Sequence, residues 1–441
     1  MTTMTADAGN ATESMGRKAA ASAFLGSLVE YYDFFLFGTA SALIFGPLFF
    51  APLGPTGALL ASFATFGVAY VTRPLGAVLF GTLGDKLGRK RALVWALNLM
   101  GIATFLVGCL PDYATAGIWA PIALVIMRLF QGLSAGGEQA GSNALSLEHA
   151  PAGKRGLYTS WSMQGTVAGA LLSTLAFIAV TSLPHETLIG WAWRIPFLVA
   201  GPLALIALFV RARVDETHSF QHAVVDAGAA PKLPLLTVFK DYWKPLLRVI
   251  GANFLSVVST TLGVFALSYA TGTVGMAANV FLVSSLIGNL VALIFQPFWA
   301  RVSDRFGRRP VMAGALVLVA LMWFPYFGAI NTGNPFLVAG TAALLMLVFS
   351  AANSVQASFY AEQFPAKVRY TGMAVGMQLG ILLGGFTPAI QTALRGDGTT
   401  AWVGPACFAA LMCLVAAACV WSSRETSRDS IDTLDQLGAT R

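Results

Sequence analysis

Charge is scarce in this chain. Only 11% of its 441 residues are Asp, Glu, Lys or Arg, against 56% hydrophobic. A water-soluble domain carries about 25% charged residues, so a wet exterior all round is excluded. Cysteine is also sparse: Cys109, Cys407, Cys413 and Cys419 lie in apolar runs with no CxxC spacing. That pattern excludes a disulfide framework or thiolate metal site and leaves four small buried hydrophobes. No GxxxxGK(S/T) loop occurs, so ATP-driven pumping lacks its phosphate cradle. No Ser/His/Asp or metal-ligating cluster is present, and no residue is assigned a catalytic or metal role. His149, His185, His218 and His222 fall at span ends or in loops. Residues 1–18 are polar, and the apolar run after them is about twice as long as the core of a cleavable signal. The first apolar segment is therefore expected to stay in the mature chain.

What the chain has is apolar length. Runs of more than about 18 apolar residues recur from end to end, each long enough to span hydrocarbon. Breakers between them predict twelve helices, at 20–50, 57–83, 91–110, 117–147, 156–182, 192–212, 246–271, 276–302, 310–330, 335–363, 368–394 and 401–422. Helices are required because lipid cannot satisfy a free backbone. The net charge of +7 is topological and not a nucleic-acid footprint. Of the 27 Lys and Arg residues, only Arg73, Arg128, Arg194 and Arg395 lie within or at the ends of spans; the rest fall in the tails and in every second loop. Such loops face the cytoplasm, so both termini are expected inside a bacterial inner membrane.

The two halves repeat. The loop after span 2 reads Gly81-Thr-Leu-Gly-Asp85-Lys-Leu-Gly88-Arg89, and the loop after span 8 reads Ala300-Arg-Val-Ser-Asp304-Arg-Phe-Gly307-Arg308. Glu148-His-Ala-Pro151 after span 4 matches Glu362-Gln-Phe-Pro365 after span 10 at nearly the same offset. The expected fold is therefore an all-α polytopic membrane protein of twelve transmembrane helices in two pseudo-symmetric six-helix bundles. Its organisation reads as an N-terminal tail at 1–19, a first bundle at 20–212, a cytoplasmic linker at 213–245, a second bundle at 246–423 and a tail at 424–441. Repeat-built membrane proteins of this kind hold their site at the midplane between the repeats.

Ionisable groups at membrane depth are costly and mark function by default. Glu30, Asp33 and Glu138 are the acids well inside spans; Arg73 and Arg128 are the bases, all in the first half. At ~1.5 Å per residue, Glu30 and Arg73 both lie ~18 Å from the basic face and Asp33 ~22 Å. Arg73 is thus level with either acid, and Glu30 and Asp33, three apart, share a helix face. A carboxylate in low dielectric beside an arginine can relay a proton, or it can be a static pair pinning helices together. Arg73 and Arg128 can also take a carboxylate substrate through a planar fork. Tyr32 and Gln131 beside them, and Asn253, Asn353, Gln356 and Gln378 from the second half, complete the candidate substrate contacts. Asn289, Gln296 and Tyr360 are further polar groups that line a cavity or join helices.

The Gly81–Arg91 loop resembles the signature loop of the major facilitator superfamily, and Arg128-Leu-Phe-Gln131-Gly132-Leu-Ser-Ala-Gly136 resembles its second motif. More narrowly, Glu30-Tyr-Tyr-Asp33-Phe34, Arg73-Pro-Leu-Gly76, Gly136-Gly-Glu138, Trp193-Arg-Ile-Pro-Phe197 and Glu216-Thr217 resemble the metabolite:proton symporter family, which includes shikimate, α-ketoglutarate, citrate and proline/betaine carriers. Tyr31 stands where that family has Trp, and Gln139-Ala140 where it has an aromatic and Gly. The resemblance implies a latch at the loops, formed by Gly81, Asp85, Gly88 and Arg89 with Asp304, Gly307 and Arg308, in which a carboxylate holds a neighbouring helix N-terminus.

The expectation is therefore a monomeric transporter, not an enzyme, that carries a small organic acid with protons by alternating access. It needs the bilayer, a small-molecule substrate and no nucleic acid. It needs no cofactor beyond the proton as coupling ion, carried by Glu30, Asp33 or Glu138. A carrier of zwitterionic solutes of the proline/betaine type, or an uncoupled facilitator, is the alternative. The former relatives carry a long charged C-terminal extension, and only about 18 residues follow the last span here.

Overall fold

A computed structural model describes residues 2–87, 89–136, 143, 146–147, 150, 153–212, 234–429 and 433–434. Twelve long helices run through them: α1 (Thr2–Leu43), α2 (Gly54–Leu87), α3 (Arg89–Cys109), α4 (Trp119–Ala135), α5 (Arg155–Thr181), α6 (Arg194–Ala212), α7 (Trp243–Gly272), α8 (Ala278–Phe306), α9 (Arg308–Asn331), α10 (Pro335–Glu362), α11 (Ala366–Ala393) and α12 (Val403–Ser422). Among the described residues, eight of these are each long and apolar enough to cross a membrane. His185–Ala192 and Arg194–Ile206, bent by 44° at Trp193, are together long and apolar enough for a ninth. Val94–Cys109 and Trp119–Ala135 are shorter apolar helices.

The surface confirms the solvent. Leu75, Ile294 and Phe336 are 63%, 68% and 85% exposed, while Arg73, Arg128 and Arg308 are buried. Large apolar groups outside and charges inside invert the arrangement of a water-soluble protein. The interior is tied by rings, with Trp193, Phe45, Phe49 and Phe197 packed edge to face or stacked at centroid separations of 5.3–6.0 Å.

The helices differ from the expected spans mainly at their ends. The first begins at Thr2 and not near residue 20, because hydropathy reports which residues enter lipid and not where a hydrogen-bonded ladder starts. It breaks at Ile44 before a short helix, Phe45–Phe49. The expected fourth span, 117–147, is described as helix only over Trp119–Ala135 before residues outside the description. Residues 213–233 of the expected linker also lie outside it, and residues 234–241 are helical.

Contacts between the first six and last six helices place the site. α5 packs on α8 and α10, and α2 packs on α11. Within the first half, α2 and α4 meet backbone to backbone: a Cβ at Gly132 would lie 1.9 Å from the Ala69 carbonyl oxygen, and one at Gly136 2.0 Å from that of Arg73. Only glycine permits that approach, which brings together the two helices that carry the buried arginines. In the second half α7 is irregular. Its helix tightens at Asn253–Leu255 and widens at Thr261–Phe265, and such mid-helix changes of pitch accompany functional sites.

Candidate functional site

α1 carries two acids toward two different arginines. Glu30 Oε1 lies 3.2 Å from Arg73 Nη2 on α2. The Arg73 guanidinium also sits over the Tyr70 ring at 4.9 Å and near that of Phe34 at 5.9 Å. Asp33 Oδ1 accepts from Gln131 Nε2 at 2.8 Å and faces the Thr104 hydroxyl at 2.5 Å; its Oδ2 is 3.9 Å from Arg128 Nη1. Arg128 in turn donates to Gln131 Oε1 at 3.0 Å and to the Phe66 carbonyl at 3.2 Å, with the Phe37 ring 4.0 Å away. Glu30, Asp33, Arg73 and Arg128 are each at most 4% exposed. Opposite charges so placed must compensate one another, since an unpaired buried ion is several kcal/mol costlier.

A cavity lies beside these pairs, between the halves. Arg73 lines it; Asp33, Glu30 and Arg128 do not. Among the described residues Arg73 is its only charged lining group. Opposite stand Asn253 on α7, Asn353 and Gln356 on α10, and Gln378 on α11, together with Asn289 on α8. Three expected substrate contacts are corrected. Tyr32 points away and donates its hydroxyl to the Pro196 carbonyl at 2.8 Å; Arg128 and Gln131 are committed to the Asp33 network behind the cavity wall. Gln296 and Tyr360 are buried outside the lining. Glu138 lies outside the described residues.

Sequence reasoning missed Tyr31 and Tyr70. Both line the cavity, Tyr31 on the same helix face as Phe34 and Phe35. The signal was their spacing, since Tyr31 is three and four residues from those rings and Tyr70 is three from Arg73.

A second charged cluster joins the halves on the face that carries the basic loops. Asp304, at the end of α8, accepts from the backbone N–H of Gly156 at 3.0 Å and Leu157 at 3.3 Å, at the start of α5, and pairs with Arg308 at 2.7 Å. Glu362 at the end of α10 is fully buried between Arg308 (3.3 Å) and Arg155 (3.4 Å). The segment after α12 straps across. Glu425 accepts from the backbone N–H of Arg308 and Arg309, each at 2.9 Å, which satisfies the α9 N-terminus. Thr426 donates to Glu362 at 2.6 Å, and Arg155 donates to the carbonyls of Thr426, Ser427 and Asp429 at 2.8–3.3 Å. Burial pushes the Glu425 carboxyl up, but the N–H groups of Arg308, Arg309 and Ser427 outweigh it and hold the acid below its ordinary value.

Gly307 turns α8 into α9 at φ +114°, a conformation reserved to glycine, and a Cβ there would lie 2.9 Å from Glu425 Oε2. Of the expected latch residues, Gly88 and the side chains of Gly81, Asp85 and Arg89 lie outside the description. Arg155, Glu362 and Glu425 were not foreseen. Glu362 was visible as half of the repeated Glu-x-x-Pro, and Arg155 only as one more loop cation.

A polar cavity between two six-helix halves, enclosed by lipid-facing helices, defines a membrane transport protein. Residues 19–233 match the family described as sugar (and other) transporter, and residues 249–436 match the major facilitator superfamily. The shikimate transporter of Escherichia coli (strain K12) is 37% identical over 96% of this chain and 98% of its own. The proline/betaine transporter of Salmonella typhimurium (strain LT2) is 34% identical over 85% of this chain and 77% of its own. The chain belongs to the major facilitator superfamily. Its fold matches a proton:xylose symporter bound to 6-bromo-6-deoxy-D-glucose with a TM-score of 0.75 at 18% identity, covering 96% of this chain and 99% of that one. A partially occluded inward-open xylose transporter from E. coli matches at 0.75 and 19%, covering 95% and 100%.

Proposed function

We propose that this protein is a proton-coupled symporter that imports a small organic acid across the bacterial inner membrane, as a monomer with both termini in the cytoplasm. The observation that carries the reading is Arg73: it is the charged group that reaches the cavity, and its buried partner Glu30 stands behind it. An incoming carboxylate competes with Glu30 for the guanidinium fork. Once displaced, Glu30 is an uncompensated buried charge, so proton uptake accompanies substrate arrival. The similarity to a shikimate transporter and the fold shared with proton symporters support the same direction.

Asp33 supplies a second proton position. The Thr104 hydroxyl has one proton and two oxygen neighbours, Asp33 Oδ1 at 2.5 Å and the Met100 carbonyl at 2.8 Å. It donates to Asp33 when that acid is ionised. When Asp33 holds the proton, the hydroxyl turns to Met100 and accepts from the acid. One hydroxyl rotation thus accommodates both protonation states without moving a helix. The proton is the only coupling ion in this scheme, and no cofactor takes part.

A carrier of quaternary ammonium solutes is the second reading, because Tyr31, Phe34, Phe35 and Tyr70 line the cavity and rings bind such cations. Arg73 already lies against Tyr70 and Phe34, which favours the acid. In proteoliposomes, an imposed acid-outside gradient should drive accumulation of carboxylates and not of trimethylammonium acetate. Gradient-independent carboxylate flux would reduce the protein to a facilitator.

A further inference from the structure

We infer that Tyr70 is a positioning residue: its ring, seated on a glycine of the opposite half, fixes where the Arg73 guanidinium stands. Arg73 is thereby tied to the closure of α2 against α11. The role rests on the reading of Arg73 as the group that meets the substrate, but it is tested without substrate, so the two fail separately.

Glu30 meets one nitrogen of Arg73, Nη2, at 3.2 Å. Nε and Nη1 are buried with no hydrogen-bond partner among the described residues. A single ion pair leaves the plane of a guanidinium free to pivot, so its pose is set by what lies against its flat faces. Here that is the Tyr70 ring, centred 4.9 Å from Cζ, with the Phe34 ring at 5.9 Å. Tyr70 and Arg73 are one turn apart on α2, so neither group can shift without meeting the other.

Tyr70 is in turn held from the second half. A Cβ at Gly385 on α11 would lie 2.2 Å from Tyr70 Cδ2 and 2.6 Å from its Cγ. Cγ is the root of the ring, so the side chain could clear a methyl there only by turning about its own Cα–Cβ bond. The contact is reciprocated at Gly67 on α2, where a Cβ would lie 2.6 Å from Phe386 Cδ1. Counted from the basic loops, both sockets lie beyond Arg73 on α2 and beyond Gln378 on α11. They join the halves on the side of the cavity opposite the Arg155 cluster.

α1 and α7 meet in the same way. A Cβ at Gly263 would lie 3.0 Å from Phe35 Cε1, and one at Gly38 would lie 2.7 Å from Val264 Cγ2. Phe34 joins Phe35 to Tyr70 at centroid separations of 5.2 and 5.3 Å. One cluster of first-half rings is therefore pinned to the second half at Gly263 and Gly385, and Arg73 lies against it. When α2 and α11 part, Gly385 withdraws and the Tyr70 ring regains its other rotamers. The guanidinium then keeps Glu30 but loses its fixed support. By linkage, whatever moves the guanidinium off the seated ring weakens the α2–α11 contact by the same factor.

The test is a double-mutant cycle on the full-length protein, read by pulsed dipolar spectroscopy. Spin labels sit at the ends of α2 and α11 away from the basic loops, and the quantity compared is the ratio of closed to open populations. Gly385→Ala should lower that ratio by about tenfold or more, since the added methyl overlaps the ring. Tyr70→Phe keeps the ring and should stay within about threefold of the unmodified protein. Arg73→Lys keeps the charge beside Glu30 without the flat fork, and should lower the ratio by about threefold or more. In a Tyr70→Ala background, Arg73→Lys and Gly385→Ala should each leave the ratio unchanged. A Gly385→Ala protein as closed as the unmodified one overturns the seat. Tyr70→Phe as open as Tyr70→Ala gives the work to the hydroxyl and overturns the role of the ring. An Arg73→Lys effect of the same size with and without the ring separates Arg73 from the closure and overturns the proposal. Should Gly385→Ala not fold, the Tyr70 and Arg73 arms decide alone, with Tyr70→Leu as the second ring-free variant.

Discussion

Arg155 offers the sharpest test of the strap on the basic face. It belongs to α5 in the first half, yet its partners described here belong to the second: Glu362 at 3.4 Å and the carbonyls of Thr426, Ser427 and Asp429, the shortest at 2.8 Å. Truncation to alanine therefore weakens only the conformation in which the halves meet on this face. Glu362 keeps Arg308 and the Thr426 hydroxyl, so no buried charge is orphaned. The loss is then one shared set of charge-assisted hydrogen bonds, about 1.5–3 kcal/mol. At about 1.4 kcal/mol per factor of ten, the population ratio of closed to open at this face should fall roughly 10–100-fold. Arg155→Lys keeps the charge without the fork and should fall between. Pulsed dipolar spectroscopy between spin labels on the basic-face ends of α5 and α10 reads the ratio directly. A change below about threefold, or a lysine variant as open as the alanine one, would refute the argument that these contacts hold the two halves together.

The remaining expectations are briefer. Asp33→Asn should remove uphill accumulation, which a one-unit pH gradient otherwise drives to at most about tenfold per proton; persistence of the full ratio would assign coupling elsewhere. Glu30→Gln should free Arg73 and tighten carboxylate binding by roughly 10–100-fold while making it less sensitive to pH; weaker binding in a calorimeter would contradict the competition model. Glu425 has a folded pKa below its ordinary value, so its contribution to the strap is present above the unfolded pKa and is lost only as pH falls through the lower, folded one. Between pH 5 and 8, ranges that lie above both, Glu425→Gln should change transport rate without moving the midpoint of the pH profile; a moved midpoint would make the tail part of the proton path. Gly307→Ala forces a side chain into a glycine-only conformation at a cost of about 1–3 kcal/mol, and a lowered thermal midpoint should report it.

Much of the architecture was legible in residue order because lipid imposes simple rules. Apolar length located twelve helices, and the alternation of basic and bare loops supported their number. The repeated Asp-x-x-Gly-Arg loops exposed the two halves. Membrane depth picked out Glu30, Asp33, Arg73 and Arg128 by type alone, since charge there is too costly to be incidental. The same rule was blind to the end-of-helix cluster of Arg155, Arg308, Glu362 and Glu425. Those residues sit where charge is ordinary in sequence, and only folding buries Arg155, Arg308 and Glu362 and half-buries Glu425.

By itself the sequence determined which segments enter the bilayer and which charges they carry with them, because both follow from transfer free energies that act residue by residue. Only the tertiary structure decided partnership: Glu30 with Arg73, Asp33 with Arg128, and the cavity opened to Arg73 but closed to Arg128. It also decided that Tyr31 and not Tyr32 faces that cavity, and that the segment after α12 returns to lock α5 against α10. Rotation of each helix about its axis settles such questions. That rotation is set by glycine-permitted backbone contacts between helices far apart in the chain, which no local pattern encodes.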